Sequence, residues 1–264
     1  MKSVNSRDNP AYKAMHRLVS KSSERKASGM SVLDGAHLVA AFLDSGRTPE
    51  AVMVNSAGAG DAEIIELVRR SAPAAVTQLS DALFKSLSTV ESPTGIVASV
   101  LTPPCGKVPA DAPLVLLLEN IQDPGNVGTL LRSAAAAGVG HVLLSPQCAF
   151  AWSPKVLRAA MGAHFALNIV EGADLGGFAG KYKGTVIALM GRGGTSLYDL
   201  DLRGPCAFVV GNEGAGISAD LAASAKVRAS IPTTRRVESL NAGIAGSVAL
   251  FEGMRQRGAG KGTK

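Results

Sequence analysis

The sequence predicts an α/β protein built in two parts. Three observations carry that expectation. From about residue 29 onward, short apolar runs with the length of buried strands alternate with segments of helical periodicity. Residues 102–113, TPPCGKVPADAP, hold four prolines and a glycine, so regular structure stops there and a linker is expected. Directly after it comes PLVLLLEN, an apolar run suited to a strand covered on both faces, as in a parallel sheet.

In chain order, residues 1–28 are polar and basic, with helical potential in Ala11 to Ser20, and read as a basic N-terminal arm. In residues 29–101, VLDGAHLVAAFLDSG reads as an amphipathic helix ended near Gly46, and AVMVN as a short buried strand. DAEIIELVRR is a helix with Asp61 at its N-cap, because a short acceptor side chain there satisfies a free amide of the first turn. AAVTQL is a weak strand, SDALFKSLS a helix capped by Ser80, and GIVASVL a strand, which together make a small α/β domain. Residues 114–257 form the second domain, and 258–264 a basic tail. There PLVLLLEN, NVGTLLRSAAAAG and HVLLS read as strand, helix and strand, a βαβ unit that favours parallel pairing. SPKVLRAAMGA is a further helix with Ser153 as cap and Pro154 in its first turn. TVIALM and CAFVVG are strands, and SLNAGIAGSVALFEGMRQ is a long closing helix.

The net charge of +6 is unevenly spread. Lys2, Arg7, Lys13, Arg17, Lys21, Arg25 and Lys26 outnumber Asp8 and Glu24 at the N-terminal end, and Arg255, Arg257, Lys261 and Lys264 crowd the C-terminal end. The body between them is net acidic. Basic ends either follow a phosphate backbone or aid solubility. On the first reading Arg7, Arg17, Lys21, Arg25 and Lys26 are candidate phosphate-backbone contacts, together with the adjacent Arg235 and Arg236.

Composition also excludes classes of protein. With 46% hydrophobic and 18% charged residues the chain is globular rather than disordered. No apolar stretch approaches the ~20 residues of a membrane helix, so no membrane partner is expected. The opening MKSVNSRDNPAYK lacks the apolar block of a secretion signal, which makes a cytoplasmic location the expectation. Cys105, Cys148 and Cys206 are far apart and without CxxC spacing, which argues against a disulfide framework or a bound metal.

The chemistry-bearing residues concentrate in three segments of the second domain. In LENIQDPGNVGTLLRSA, Asp123-Pro124-Gly125 makes a turn and Asn126 stands at a helix start, where free amides can hold an anion. Arg132 lies inside that helix. In FVVGNEGAGIS a strand runs into Gly211-Asn212-Glu213-Gly214, and glycines at a strand's carboxyl end let a ligand approach the backbone. In IPTTRRVESLNAGIAG, Ile231-Pro232 closes an extended segment, and Ser239 and Asn241 open a helix whose Gly243 and Gly246 cost helix propensity, up to ~1 kcal/mol each. Each segment alone is a common structural feature. None fits the GxGxxG or GxxxxGK[ST] phosphate loops.

Together the segments resemble the three motifs of the SpoU (TrmH) family of SPOUT methyltransferases. The matching patterns are N-x-x-D-P-x-N-x-G-x-x-x-R-S-A from Asn120, G-N-E-G-x-G from Gly211 and I-P-x-x-x-x-V-E-S-L-N from Ile231. LRAAMGAHFALNI, between the first two, is similar to a further family segment, and residues 29–101 resemble the family's substrate-binding domain. The chain departs from the pattern at Thr233-Thr234, where a Met often follows Ile-Pro, and at Ala-Gly-Ile-Ala-Gly-Ser after Asn241, where Val-Ser-Val-Ala is usual.

The resemblance implies an open parallel sheet with a C-terminal trefoil knot, S-adenosylmethionine as cofactor, and methyl transfer to a ribose 2′-hydroxyl of RNA. Ribosomal RNA is the favoured substrate, and transfer RNA the alternative. It assigns Arg132 to the RNA phosphate and to activation of the hydroxyl, either as base or as electrostatic stabiliser of the forming alkoxide. Asn126, Glu213, Ser239 and Asn241 would orient the arginine and the ribose. Met190, Gly191, Gly211, Asn212, Gly214, Ile231, Pro232 and Leu240 would hold the cofactor. A homodimer is implied, with the Gly/Ala-rich last helix as an interface candidate. His16, His37, His141 and His164 lie outside the motifs, so no histidine base is signalled. A Rossmann-type enzyme and a non-catalytic RNA-binding protein are the competing classes.

Overall fold

The computed structural model describes residues 2–88, 93–234, 236 and 239–258. The chain divides into two units. One runs to Pro104 and also takes up Trp152–Phe165, and the other holds Cys105–Ala151 and the chain from Ala166 on.

The first unit contains β1 (Lys2–Val4), α1 (Pro10–Ser20), α2 (Ser22–Ser28), β2 (Met30–Asp34), α3 (Ala36–Asp44), β3 (Ala51–Val54), α4 (Ser56–Gly60), α5 (Ala62–Arg70), β4 (Ala75–Leu79), α6 (Asp81–Lys85) and β5 (Ile96–Leu101). Its five-stranded sheet is mixed, in the order β1-β4-β3-β5-β2, with β5 antiparallel to both its neighbours. Two expectations change here. The helix expected across Val32–Gly46 is a strand and a helix, because the β2 backbone pairs with β5 and Gly35, at φ +113°, breaks helical geometry between them. Nor are residues 2–28 an arm. Val4 pairs opposite Leu79, and Tyr12 and Met15 of α1 are buried with Val32, Met53, Phe84 and Val97. The apolar spacing of Tyr12, Met15, Leu18 and Val19 is that of one helix face, and burying it ties the segment to the core.

Asn9 caps α1, accepting from the Ala11 amide at 3.0 Å, and Asp61 caps α5, accepting from Ile64 at 3.1 Å. Arg25 is a further correction. Its residue is 6% exposed, and its guanidinium donates to the Leu18 and Val19 carbonyls near the end of α1. It satisfies helix carbonyls and cannot reach a phosphate. Arg7, Arg17, Lys21 and Lys26 are exposed, Arg17 lying 3.8 Å from Glu24.

The second unit begins with β6 (Leu114–Leu118), α7 (Pro124–Ala136) and β7 (His141–Leu144). The next helix, α8 (Pro154–Ala160), belongs to the first unit although the sequence reading placed it in the second domain. It keeps its expected cap, Ser153 accepting from the Val156 amide at 3.3 Å. Then follow β8 (Asn168–Val170), α9 (Leu175–Lys181), β9 (Thr185–Met190), β10 (Thr195–Ser196), β11 (Cys206–Val210), α10 (Ala219–Ser224), β12 (Val227–Ser230) and α11 (Ala242–Gln256). The seven strands run in the order β10-β12-β9-β11-β6-β7-β8, every pair parallel. Strands β6 and β11 sit side by side, Leu118 opposite Val210, and all their residues are buried. Helices cover both faces of such a pair, which is why these strands read as continuous apolar runs.

Helix α11 lies along α7 and β11. A Cβ at Gly246 would run into the Leu130 side chain and come within 3.0 Å of Val210, and one at Gly243 would stand 3.2 Å from Asn126 Oδ1 and 3.4 Å from Thr129. The propensity these glycines give up is offset by the close approach of the two helices. The Gly/Ala stripe therefore faces its own chain and is not free for a second copy.

Candidate active site

A cleft opens at the carboxyl ends of three adjacent parallel strands, β12, β9 and β11, where open α/β sheets place ligands. It encloses about 870 Å³ of non-atom space counting its open mouth. Met190 and Gly191 follow β9, and Gly211 to Gly216 follow β11. Ile231 and Thr233 follow β12, and Ser239, Leu240, Ala242 and Ala245 close the cleft at the start of α11. All of the expected cofactor residues except Pro232 line it. Pro232 borders an adjoining groove with Arg192 and Gly193.

The β11 loop is built around Asn212. Its amide and carbonyl exchange hydrogen bonds with Gly216 at 3.0 and 2.9 Å, and its side-chain oxygen accepts from the Gly214 and Ala215 amides, both at 2.9 Å. Its Nδ2 donates to the Asn120 carbonyl at 2.8 Å. With both side-chain atoms engaged, Asn212 is a loop clamp that lines the cleft while its side chain is spent on the loop. Gly211 is required by the same loop, because a Cβ there would overlap the backbone of Gly216 and Ile217.

Glu213 reaches from this loop to the start of α7. Its Oε1 accepts from the Asn126 side-chain amide at 2.9 Å and the Asp123 backbone amide at 3.2 Å, and Oε2 accepts from the Gln122 amide at 3.3 Å. Partial burial pushes its carboxyl up. The hydrogen bonds from Asn126 and from the Glu213, Asp123 and Gln122 amides outweigh that effect and hold it below the usual value. The anion expected at this helix start is thus the protein's own carboxylate, which also complements the helix dipole. The helix starts at Pro124 with Asp123 as its cap, two residues earlier than expected, so Asn126 is inside it and 8% exposed.

The remaining candidates separate. Asn241 caps α11, accepting from the Ile244 amide at 3.2 Å, and does not line the cleft. Ser239 lines the cleft, is exposed, and makes no hydrogen bond among the described residues. Arg132 stands exposed on α7, outside the lining, and makes no ion pair among the described residues. Arg236 is exposed, and Arg235 lies outside the described residues. The expected site residues did not include Leu189, Val210, Ala215, Gly216, Ala242 and Ala245, small or aliphatic residues without a chemical signature, or Thr233, which the sequence marked only as a departure from the motif.

The SpoU rRNA Methylase family model matches residues 113–251, just over half of the chain. The chain belongs to that family. A model for the MRM3-like substrate binding domain matches residues 9–98. A 23S rRNA guanosine 2′-O-methyltransferase of Bacillus subtilis is 30% identical, over 95% of this chain and 98% of that one. A solved RNA 2′-O ribose methyltransferase superposes with a TM-score of 0.83 at 27% identity, covering 97% of this chain and 99% of the other. An rRNA methyltransferase of Sinorhizobium meliloti solved with S-adenosylmethionine bound gives 0.83 at 25% identity, covering 96% and 97%.

The cleft of this SpoU protein fits that cofactor. Leu189, Met190, Val210, Ile231 and Leu240 give apolar contact for a purine, and glycines at 191, 211, 214 and 216 leave the main chain accessible. Glu213 is the one charged side chain among the described lining residues, and its negative charge suits a cationic sulfonium and ammonium. Among the described residues, no helix is long and apolar enough to cross a membrane.

Proposed function

We propose that this SpoU chain transfers a methyl group from S-adenosylmethionine to a ribose 2′-hydroxyl of ribosomal RNA in the cytoplasm. One observation carries the reading: residues of two of the family's motif segments, Gly211 to Gly216 and Ile231, Ser239 and Leu240, line a single cleft at strand ends that suits a cationic nucleoside, and Glu213 of that lining is hydrogen-bonded to the third segment at the start of α7. The Bacillus subtilis relative and the structures described above support the reaction and its RNA substrate.

The bound cofactor supplies a methyl group already activated by its sulfonium. The protein's work is to hold that group, place the ribose, and manage the hydroxyl proton. Main-chain groups near Gly191, Gly211, Ile231 and Leu240 grip the nucleoside. Ser239, open to the cleft, orients the sugar. Asn126 and Glu213 are positioning residues that join the cleft loop to the helix bearing Arg132. The guanidinium contacts an RNA phosphate and stabilises the alkoxide as it forms, because arginine stays protonated.

Arg132 lies outside the cleft lining of its own chain, which supports a homodimer in which Arg132 of the partner subunit completes each site. The outer face of α11, with Ile244 at 53% and Phe251 at 46% exposed and Val248 half-buried between them, offers an apolar stripe for that contact. The trefoil knot implied by the resemblance belongs to the same reading, and the chain trace of an experimental structure tests it.

The deciding experiment maps 2′-O-methylated nucleotides in RNA from cells with and without this gene, then restores the missing mark with purified protein and S-adenosylmethionine. A ribosomal site that appears only with both supports the proposal. Modification of transfer RNA alone corrects its substrate, and no methylated RNA refutes it.

A further inference from the structure

The loop between β6 and α7 is held from a direction that the methyl-transfer reading leaves unused. Ser145, just past β7, is buried. Its Oγ accepts from the Asn120 backbone amide at 2.9 Å and donates to Asn120 Oδ1 at 2.7 Å. Its own amide donates to the Leu118 carbonyl at 3.0 Å. Asn120 stands at φ +56°, in the left-handed region that asparagine enters more readily than other residues with a side chain, and Ser145 holds both its amide and its side-chain oxygen there.

What Asn120 holds is the wall of the cleft. Its carbonyl accepts from Asn212 Nδ2 at 2.8 Å, and the Gln122 and Asp123 amides just beyond it close on Glu213 at 3.3 and 3.2 Å. Asn212 in turn gathers the Gly214 and Ala215 amides. A continuous chain of hydrogen bonds therefore runs from Ser145 through Asn120 to the loop 211–216. Ser145 itself does not line the cleft. It borders a separate cavity on the other side of the loop, with Glu119 and Asn120.

We infer that Ser145 is a positioning residue for methyl transfer: by fixing Asn120 in its left-handed conformation, it sets the 211–216 wall against which the cofactor binds. The inference rests on the cleft being the cofactor site. Removing the hydroxyl leaves the Asn120 amide and Oδ1 without their partner, and the residue is no longer pinned in the one conformation that presents its carbonyl to Asn212. The cost falls on cofactor binding, because Arg132 and Ser239 lie outside this chain of bonds.

The test compares the full-length protein with Ser145→Ala and Ser145→Thr. Ser145→Ala is expected to bind S-adenosylmethionine about tenfold more weakly by calorimetry and to raise its KM by the same factor. At saturating cofactor, kcat should stay within about twofold. Ser145→Thr, which keeps the hydroxyl, restores both. Without cofactor, amide hydrogen exchange in 211–216 accelerates in Ser145→Ala while that in α9 does not change. Unchanged affinity with unchanged exchange overturns the inference, as does a lowered melting temperature with kcat reduced and KM untouched, the mark of a purely structural serine. Should Ser145→Ala fail to fold, Asn120→Gly, which tolerates the same φ while losing the side-chain bond, takes its place under the same criteria. Failure of the wild-type protein to bind S-adenosylmethionine refutes the cofactor reading alone, and the exchange comparison still decides the link from Ser145 to the loop.

Discussion

The two sides of the cleft treat their polar groups differently. On the β6 and β11 side, the side chains of Asn120, Asn126, Asn212 and Glu213 are hydrogen-bonded within the chain. On the β9 and β12 side, Thr233 and Ser239 line the cleft without a hydrogen bond among the described residues. A buried or half-buried polar atom is costly without a partner, so the first side spends its groups on architecture and the second keeps them for a ligand. Residues that a motif groups together therefore divide into those that build the site and those that meet the substrate.

Breaking that division gives the largest effect at Arg132, which the structure leaves outside the internal network. Arg132→Ala is expected to lower methyl transfer about 100- to 1,000-fold, as loss of a transition-state contact does, with cofactor affinity unchanged by calorimetry. Loss of cofactor affinity would place Arg132 with the architectural residues. Glu213→Gln replaces acceptors facing three N–H donors with an amide that also donates. Activity should fall about tenfold through a weaker cofactor KM, since a lost hydrogen bond of ~1 to 1.5 kcal/mol corresponds to that factor. The same variant sharpens the comparison through pH. The folded carboxyl titrates below its unfolded value, so its stabilisation is present above the ordinary glutamate range and lost as pH falls through the folded value. Melting temperature followed from pH 7 downward should show an acid-side loss in the wild type that is smaller in Glu213→Gln.

Packing gives the next effect. Gly246→Val forces methyl groups toward Leu130 and Val210 and should cost about 1 to 3 kcal/mol by denaturant unfolding. An unchanged midpoint would mean that α7 and α11 do not approach as described. The smallest effect separates the basic residues. Lys21→Ala should reduce the salt dependence of RNA binding by ~0.7 to 0.9 in the slope of log affinity against log salt, whereas Arg25→Ala leaves that slope alone and lowers melting temperature. Equal slopes for both variants and the wild type would remove Lys21 from the RNA contacts.

Much of this protein was legible before folding. The apolar runs Leu114–Leu118 and Cys206–Val210 are strands because a strand buried on both faces accommodates five consecutive apolar residues in so short a space. The caps Asp61 and Ser153 are local chemistry, a side-chain oxygen within reach of an amide three residues on, and they stand where the sequence puts them. The shortest elements were not legible: Asn168–Val170 and Thr195–Ser196 have too few residues to show a period, and they are strands because a neighbouring strand presents hydrogen-bonding groups to them. Arg25 reads as a phosphate contact until the helix end it caps is known.

By itself, then, the sequence determined the α/β class, the proline-rich break and the three motif segments, because each depends on residue type and near-neighbour spacing. Only the tertiary structure decided that the Asn120 side chain is held by Ser145, that Asn212 clamps the Asn120 carbonyl and its own loop, that Glu213 is held at the start of α7, that α1 belongs to a core, and that Arg132 stands away from the cleft. Those outcomes depend on which distant strands become neighbours, and the strand order β9-β11-β6 is set by packing of whole elements rather than by any local run of residues.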